Sequence, residues 1–317
     1  MEFGAHLPLI GFHGPSFSLP RLLDYTETVE RLGFTTLCVN DHLVATRPWL
    51  DSVTALASVI AHTHRLKLMA VVLPVVRGPI PLAKALAALD VLSGGRLTVG
   101  AGPGSLPQDY DLVDIAFEER WKRFDEVVQL LRSLLRPGAP PFRGRFYASA
   151  TARLEAPVMA SLEPFPAQEA GPPIWIGSWG SDAGLRRVAR LGDGWLASAY
   201  HATPQSFADG LTRLNRRLQA EGKAPDRFPN ALASMFCYLT EDQRVAERIL
   251  TEVIGPTLNR SVDLLRERLL VGPAAECIEK LLRLKEAGVQ QVFLWPVDDE
   301  LMQLKQLYEQ VIQQIPE

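Results

Sequence analysis

The sequence predicts an α/β fold, a (β/α)₈ TIM barrel with an insertion in its second half, and three observations lead there. Short apolar runs alternate with longer amphipathic segments along nearly the whole chain, and repeated strand–helix units imply a parallel sheet. Eight such units fit a closed barrel better than an open sheet. The main rival, a doubly wound dinucleotide-binding sheet, would place a glycine-rich turn after its first strand. Here that strand runs into Pro8-Leu9-Ile10-Gly11.

Each element has its own signal. Phe3 to Leu7 is the first apolar run, and Leu19 to Leu32 carries a helical pattern closed by Gly33 as a C-cap. Thr35 to Val39 is the second run, followed by a helix over about Trp49 to His62. Leu66 to Leu73 is the third, and Pro79 to Leu92 is helical, with Pro81 tolerable in its first turn. Leu97 to Ala101 is the fourth. Phe117 to Leu135 then places Trp121, Phe124, Val127, Val128 and Leu131 on one helical face. Residues 136 to 172 are proline-rich and aperiodic, with a short extended piece expected at Arg145-Phe146-Tyr147. The alternation resumes with Ile174 to Gly177, a helix over Asp182 to Arg190, and Gly194 to Ala199. A helix over Pro204 to Ala220, a strand over Ala231 to Leu239 and helices between about Asp242 and Leu270 follow. Ala274 to Ala287 is helical and capped by Gly288, Val289 to Trp295 is the last run, and Glu300 to Ile312 is a terminal helix.

The chain has 317 residues, read as one domain over 1–317 with an irregular insertion at about 136–172. Apolar content of 47% and a net charge of −3 are ordinary for a globular protein, and no basic stripe suggests nucleic acid. The first ten residues lack the basic and long apolar regions of a signal peptide, and no stretch has the length of a membrane span. Cys38, Cys237 and Cys277 are odd in number and widely spaced. They read as interior packing residues in a reducing cytoplasm.

In such a barrel the active site forms just past the strand ends. The informative residues are therefore His6, the group Asn40-Asp41-His42, Met69 to Pro74, Gly100 to Ser105, Gly177 to Asp182, and Ser198 to His201. Charged groups are costly to bury without a partner or a task. Asp41-His42 at the mouth reads either as an acid/base pair or as a loop cap beside a loop histidine. The turn Gly177-Ser178-Trp179-Gly180-Ser181-Asp182 reads either as a phosphate cradle at a helix start or as a plain N-cap. Gly100 to Gly104 gives close backbone approach to a ring-shaped ligand, or only a tight turn. Arg120, Arg123 and Glu126 share a helix, where an i, i+3 pair is expected and Arg120 is placed nearest the mouth. His62 and His64 lack the spacing of a metal pair, no metal site is expected, and no serine elbow is present.

Taken together, these stretches resemble the luciferase-like monooxygenase family of the bacterial luciferase superfamily. The strongest match runs from Pro79 to Gly104, with its Ala-Lys, Leu-Asp-Val-Leu-Ser-Gly-Gly-Arg and glycine-rich strand end. Asp41-His42, the helix around Glu119 to Glu126, Pro173 to Gly177, Asp193-Gly194-Trp195, Val271-Gly272-Pro273 and Ala287-Gly288-Val289 also fit. Gly78 is a departure, since many relatives carry histidine after the arginine. The resemblance implies a flavin-type oxidoreductase or monooxygenase that uses reduced FMN or the deazaflavin F420 on a small organic substrate. The implied cofactor contacts are His6, Asp41, Ala70, Val71, Gly102 and Gly104, with the phosphate end on Gly177, Ser178, Trp179, Gly180 and Ser181. It further implies a non-proline cis peptide, placed here at Ala70–Val71, behind the ring. His42 is the implied acid/base group and Asp41 its orienter. With FMN, a separate flavin reductase is implied; a homodimer is expected in either case. Trp49, Trp179, Tyr110 and Phe12 are expected to line an apolar pocket or to pack under loops. A barrel that binds a flavin without catalysis is the alternative.

Overall fold

The computed structural model describes residues 1–14, 17–149 and 162–316. Its strands are β1 (Glu2–His6), β2 (Thr36–Val39), β3 (Lys67–Val72), β4 (Leu97–Ala101), β5 (Ile174–Gly177), β6 (Gly194–Ser198), β7 (Asn230–Leu239), β8 (Leu270–Gly272) and β9 (Gln291–Pro296). β1 to β7 pair in sequence order, β7 pairs with β9, and β9 returns to β1, all in parallel. Eight strands thus close a barrel, with the eight apolar runs as its staves. β8 pairs only with the far end of β7, beside the ring. Three residues are too few for a periodic signal, and only Leu270 of β8 falls within the helical stretch expected to about Leu270.

Strand periodicity sorts the side chains into two layers. Cys38, Met69, Trp175, Leu196, Ala231 and Phe293 belong to a small buried cluster, distinct from the larger one that holds Leu37, Val39, Leu68, Ala70, Val292 and Leu294 against the helices. Glycine appears where the first layer is full. A Cβ on Gly4 would stand 2.6 Å from the Phe293 ring, and one on Gly194 2.5 Å from that of Trp175. The three cysteines are free and buried.

The helices begin and end where the sequence signals them. Leu19–Leu32 is capped by the Ser18 side chain and by Gly33 at φ 84°. Pro79–Leu92 and Pro204–Ala220 keep their expected bounds. The segment expected from Trp49 is helical only over Ser52–Val59 with a 3₁₀ turn to His62, because Asp51 is the N-cap. The family-like stretch around Asp90 builds the opposite end of the barrel. Buried Asp90 accepts from the N–H groups of Leu97 and Gln168 and from the Gln168 amide, while Arg96 donates to the carbonyls of Thr63, Leu66 and Ser93.

Three expectations are corrected. Ala70–Val71 is not cis; among the described residues only Glu163–Pro164 is. Both residues sit in the regular β3–β4 ladder, opposite Val99 and Gly100. Arg145-Phe146-Tyr147 is not extended: it forms the bend of a small loop closed by the Arg143–Ala148 bridge, because Glu126 accepts all three of its N–H groups. That use of Glu126 leaves Arg123 to pair with Glu119 at i, i+4 instead. Residues 150–161 of the expected insertion lie outside the described residues.

Candidate active site

Just past the strand ends lies a cavity of about 860 Å³, lined among others by Asn40, His42, Trp49, Trp179, His201 and Trp295. Its volume suits a small-molecule or cofactor site. The stretch after β7 covers one side: a π-helical turn over Ile249–Ile254 leads into Gly255–Leu258, and Thr257 to Arg260 reach the cavity.

Asp41 and His42 turn out to have different jobs. Asp41 is buried and saturated. Arg77 grips both its oxygens at 2.6 Å, and Ser52 Oγ and the Leu73 N–H donate to them at 3.1 Å. A carboxylate so occupied fixes the β2 and β3 ends together; it is not part of the cavity lining. His42 does line the cavity. Its partner is Asp109, wholly buried on the short helix Pro107–Asp111, which accepts from Nδ1 at 3.0 Å. The same carboxylate accepts the N–H groups of Leu43 and Val44. A carboxylate only accepts, so Nδ1 carries the proton and Nε2 is left as the chemically free nitrogen. The Trp49 ring stands edge-on to the imidazole at 4.9 Å.

A second cluster comes from a defect in β7. Two of its residues, Ala233 and Ser234, stand against Phe293 alone, a bulge that holds Ser234 at φ 57°. The bulge aims the Ser234 N–H at His6 Nε2 (3.0 Å) and its Oγ at the Asn40 amide (2.8 Å). His6 must therefore protonate on Nδ1. Complete burial pushes its pKa down to about 3, so it is neutral. The imidazole stacks on Trp295 at 4.2 Å. His6 Nδ1, Asn40 Oδ1 and Trp295 Nε1 are buried with no hydrogen-bond partner among the described residues. Asn40 and Trp295 belong to the cavity wall, where an unpaired polar atom can take a ligand partner, whereas His6 lies behind the lining.

The Gly177–Ser181 turn is only partly as read. Trp179 lines the cavity, half-exposed and stacked on His201 at 3.8 Å. The Ser178 N–H donates to the Leu196 carbonyl and the Gly180 N–H to Ser178 Oγ, so two N–H groups of the phosphate cradle are already satisfied, while Ser181 Oγ caps the next helix through the Gly184 N–H. Gly180, at φ 87°, has open space where a Cβ would lie.

Other candidates fall elsewhere. Ala70 packs toward the helices, whereas Val71 joins the inner layer. Gly102 and Gly104 make the turn after β4 but do not line the cavity, where Ser105 and Leu106 do. Of the aromatic candidates, Trp49 and Trp179 reach it. Tyr110 is buried beneath, bonded to the Pro103 carbonyl, and Phe12 packs on Phe236. Arg120 stacks on Phe117 and donates to its carbonyl, away from the mouth. His62 pairs with Glu27 at the surface. No cluster of three metal-ligating side chains occurs among the described residues. Sequence reading missed Asp109, Ser234, Trp295 and Arg260. Asp109 was discoverable only as an acid just after the glycine turn of β4.

The family profile described as luciferase-like monooxygenase matches residues 1–262. The chain belongs to that family. A 5,10-methylenetetrahydromethanopterin reductase of Archaeoglobus fulgidus is 29% identical over 243 residues, 76% of this chain and 68% of the relative. The crystal structure of monooxygenase RslO1 from Streptomyces bottropensis superposes with a TM-score of 0.82 at 25% identity, covering 99% of both chains. An F420-dependent secondary alcohol dehydrogenase in complex with an F420-acetone adduct gives a TM-score of 0.81 over 98% of both chains, at 18% identity, a likeness of fold. In this luciferase-like chain, no helix among the described residues is long and apolar enough to cross a membrane.

Proposed function

We propose that the protein is an oxidoreductase that holds FMN or the deazaflavin F420 at the barrel mouth and presents His42 to a small organic substrate. The observation that carries this reading is the His42–Asp109 pair on the wall of the cavity. The residues present fit a flavin-type ring. The cavity volume suffices, and on its wall the unpaired Asn40 Oδ1 and Trp295 Nε1 are an acceptor and a donor of the kind that a heteroatom-rimmed ring satisfies. FMN would supply oxygen activation and F420 would supply hydride exchange. The chain's own part is the same in both cases. Asp109 fixes the tautomer and orientation of His42, and Nε2 gives or takes a proton at the substrate. Trp49 and Trp295 exclude water from one wall, with rings 5.7 Å apart. A separate reductase would be needed only with FMN.

Fluorescence titration with FMN and with F420, each oxidised and reduced, tests the reading. Saturable binding of one ring is expected. If neither ring binds, only the fold is shared with the family and the proposal is wrong. Tight binding with no turnover of any substrate would favour a flavin-binding barrel without catalysis.

A further inference from the structure

Two guanidinium groups on the cavity wall have no carboxylate partner. Arg260 donates to the Asn259 carbonyl at 2.9 Å and to His201 Nε2 at 3.2 Å, and Arg47 donates to the Glu252 carbonyl at 3.3 Å. Neither takes part in any ion pair among the described residues, whereas Arg77, Arg187, Arg217 and Arg266 each grip a carboxylate. Their loops meet: Thr46 Oγ1 lies 3.5 Å from the Thr257 carbonyl, one residue before Arg47 and three before Arg260. Among the described residues, Asp111 is the one acid that lines the cavity.

His201 explains why this charge is held open. Its Nδ1–H donates to Ser198 Oγ at 3.1 Å, so Nε2 is the acceptor that steadies Arg260. Burial, then the positive charges of Arg260 and Arg268, push its pKa down to about 4. The imidazole is thus neutral and orients the guanidinium without adding a competing ion. Its other face is covered by the Trp179 ring. Backbone carbonyls and a neutral ring position a guanidinium but leave its charge unmatched, and a planar guanidinium fork suits carboxylate and phosphate oxygens.

We propose that Arg260 and Arg47, beside the Trp179–His201 stack, form a subsite for the carboxylate or phosphate group of an anionic substrate. The assignment deepens the oxidoreductase reading and rests on it for the word substrate. The same chemistry could serve a phosphate on the cofactor, and the test separates the two sources.

The probes are inorganic phosphate and benzoate, titrated calorimetrically at constant ionic strength maintained with chloride. Saturable binding is expected. Arg260→Gln and Arg47→Gln should each weaken it roughly tenfold, as loss of a charge-assisted bond does. Arg283→Gln, on an exposed surface pair with Glu279, should leave it unchanged. Non-saturable binding, or binding that both cavity variants retain, overturns the subsite. In parallel, the ratio of FMN to riboflavin affinity, or of F420 to its phosphate-free deazaflavin core, is compared in wild type and Arg260→Gln. An unchanged ratio assigns the anion to the substrate. A ratio that collapses in the variant gives the arginine to the cofactor and overturns the proposal. If neither ring binds, the oxidoreductase reading fails while the anion titration still reports on the arginines.

Discussion

At the scale of single residues, two buried aspartates, Asp41 and Asp109, separate stability from chemistry. Asp41→Asn should cost roughly 3 kcal/mol, the lower end for breaking a buried pair, because Asp51 stays with Arg77. Urea denaturation reads this, and an unchanged midpoint would remove Asp41 from the frame. Asp109→Asn should instead lower turnover by about 10²- to 10⁴-fold, since His42 loses the group that sets its tautomer. Cofactor affinity should change little. Equal losses of turnover and affinity would mean that Asp109 shapes the ring site instead. His6 makes a pH prediction. Its folded pKa of about 3 lies below the unfolded 6.5, so below pH 6.5 the unfolded chain binds a proton that the native one refuses. Stability is complete above 6.5 and falls as pH drops toward 3, by about 1.4 kcal/mol per pH unit from this group. His6→Phe should flatten that limb of the urea midpoint against pH, while losing a constant amount for the unpaired Ser234 N–H. An unaltered slope would place the acid sensitivity elsewhere.

At the scale of elements, what could be read from sequence followed periodicity and caps. Leu19–Leu32 closed by Gly33, and Pro204–Ala220, were legible because local chemistry and burial agree there, and the structure adds the Ser18 and Thr203 caps. Pro107–Asp111 has five residues and no period, so the partner of His42 stayed hidden. The β7 bulge was hidden for a different reason: the apolar run Ala231 to Leu239 contains no glycine to betray a left-handed residue, and Ser234 is held there by its tertiary bonds. His42 was legible as a titratable group after a strand. The adjacent Asp41 looked equally functional because sequence cannot say which acid an arginine 36 residues away will claim. Packing at this scale is tight enough to test. Gly194→Ala should cost about 1–3 kcal/mol through overpacking, since its Cβ would lie 2.5 Å from the Trp175 ring. A neutral result in chemical denaturation would show that β5 and β6 can yield.

At the scale of the whole molecule, a parallel barrel brings all strand C-termini to one end, and the sequence distributes its labour accordingly. The Asp90–Arg96 stretch, within the strongest family likeness, staples the far end. The mouth collects residues as distant in sequence as Asn40, Asp109, Ser234 and Trp295, too far apart for any local pattern to unite. Occupation of the site should stabilise the entire fold: with ligand at 100 times its dissociation constant, by about 2.7 kcal/mol.

The molecule offers a second groove of nearly the same size, about 840 Å³, between Arg21 and the helix that begins at Glu300. The decisive measurement is therefore a crystal structure with whichever ring, FMN or F420, binds in solution. Ring density is expected in the mouth cavity, within hydrogen-bonding reach of Asn40 or Trp295 Nε1, with His42 Nε2 facing the space left for substrate. Density in the Arg21–Glu300 groove, or a ring that leaves Asn40 and Trp295 unpaired and His42 remote, would contradict the proposed site.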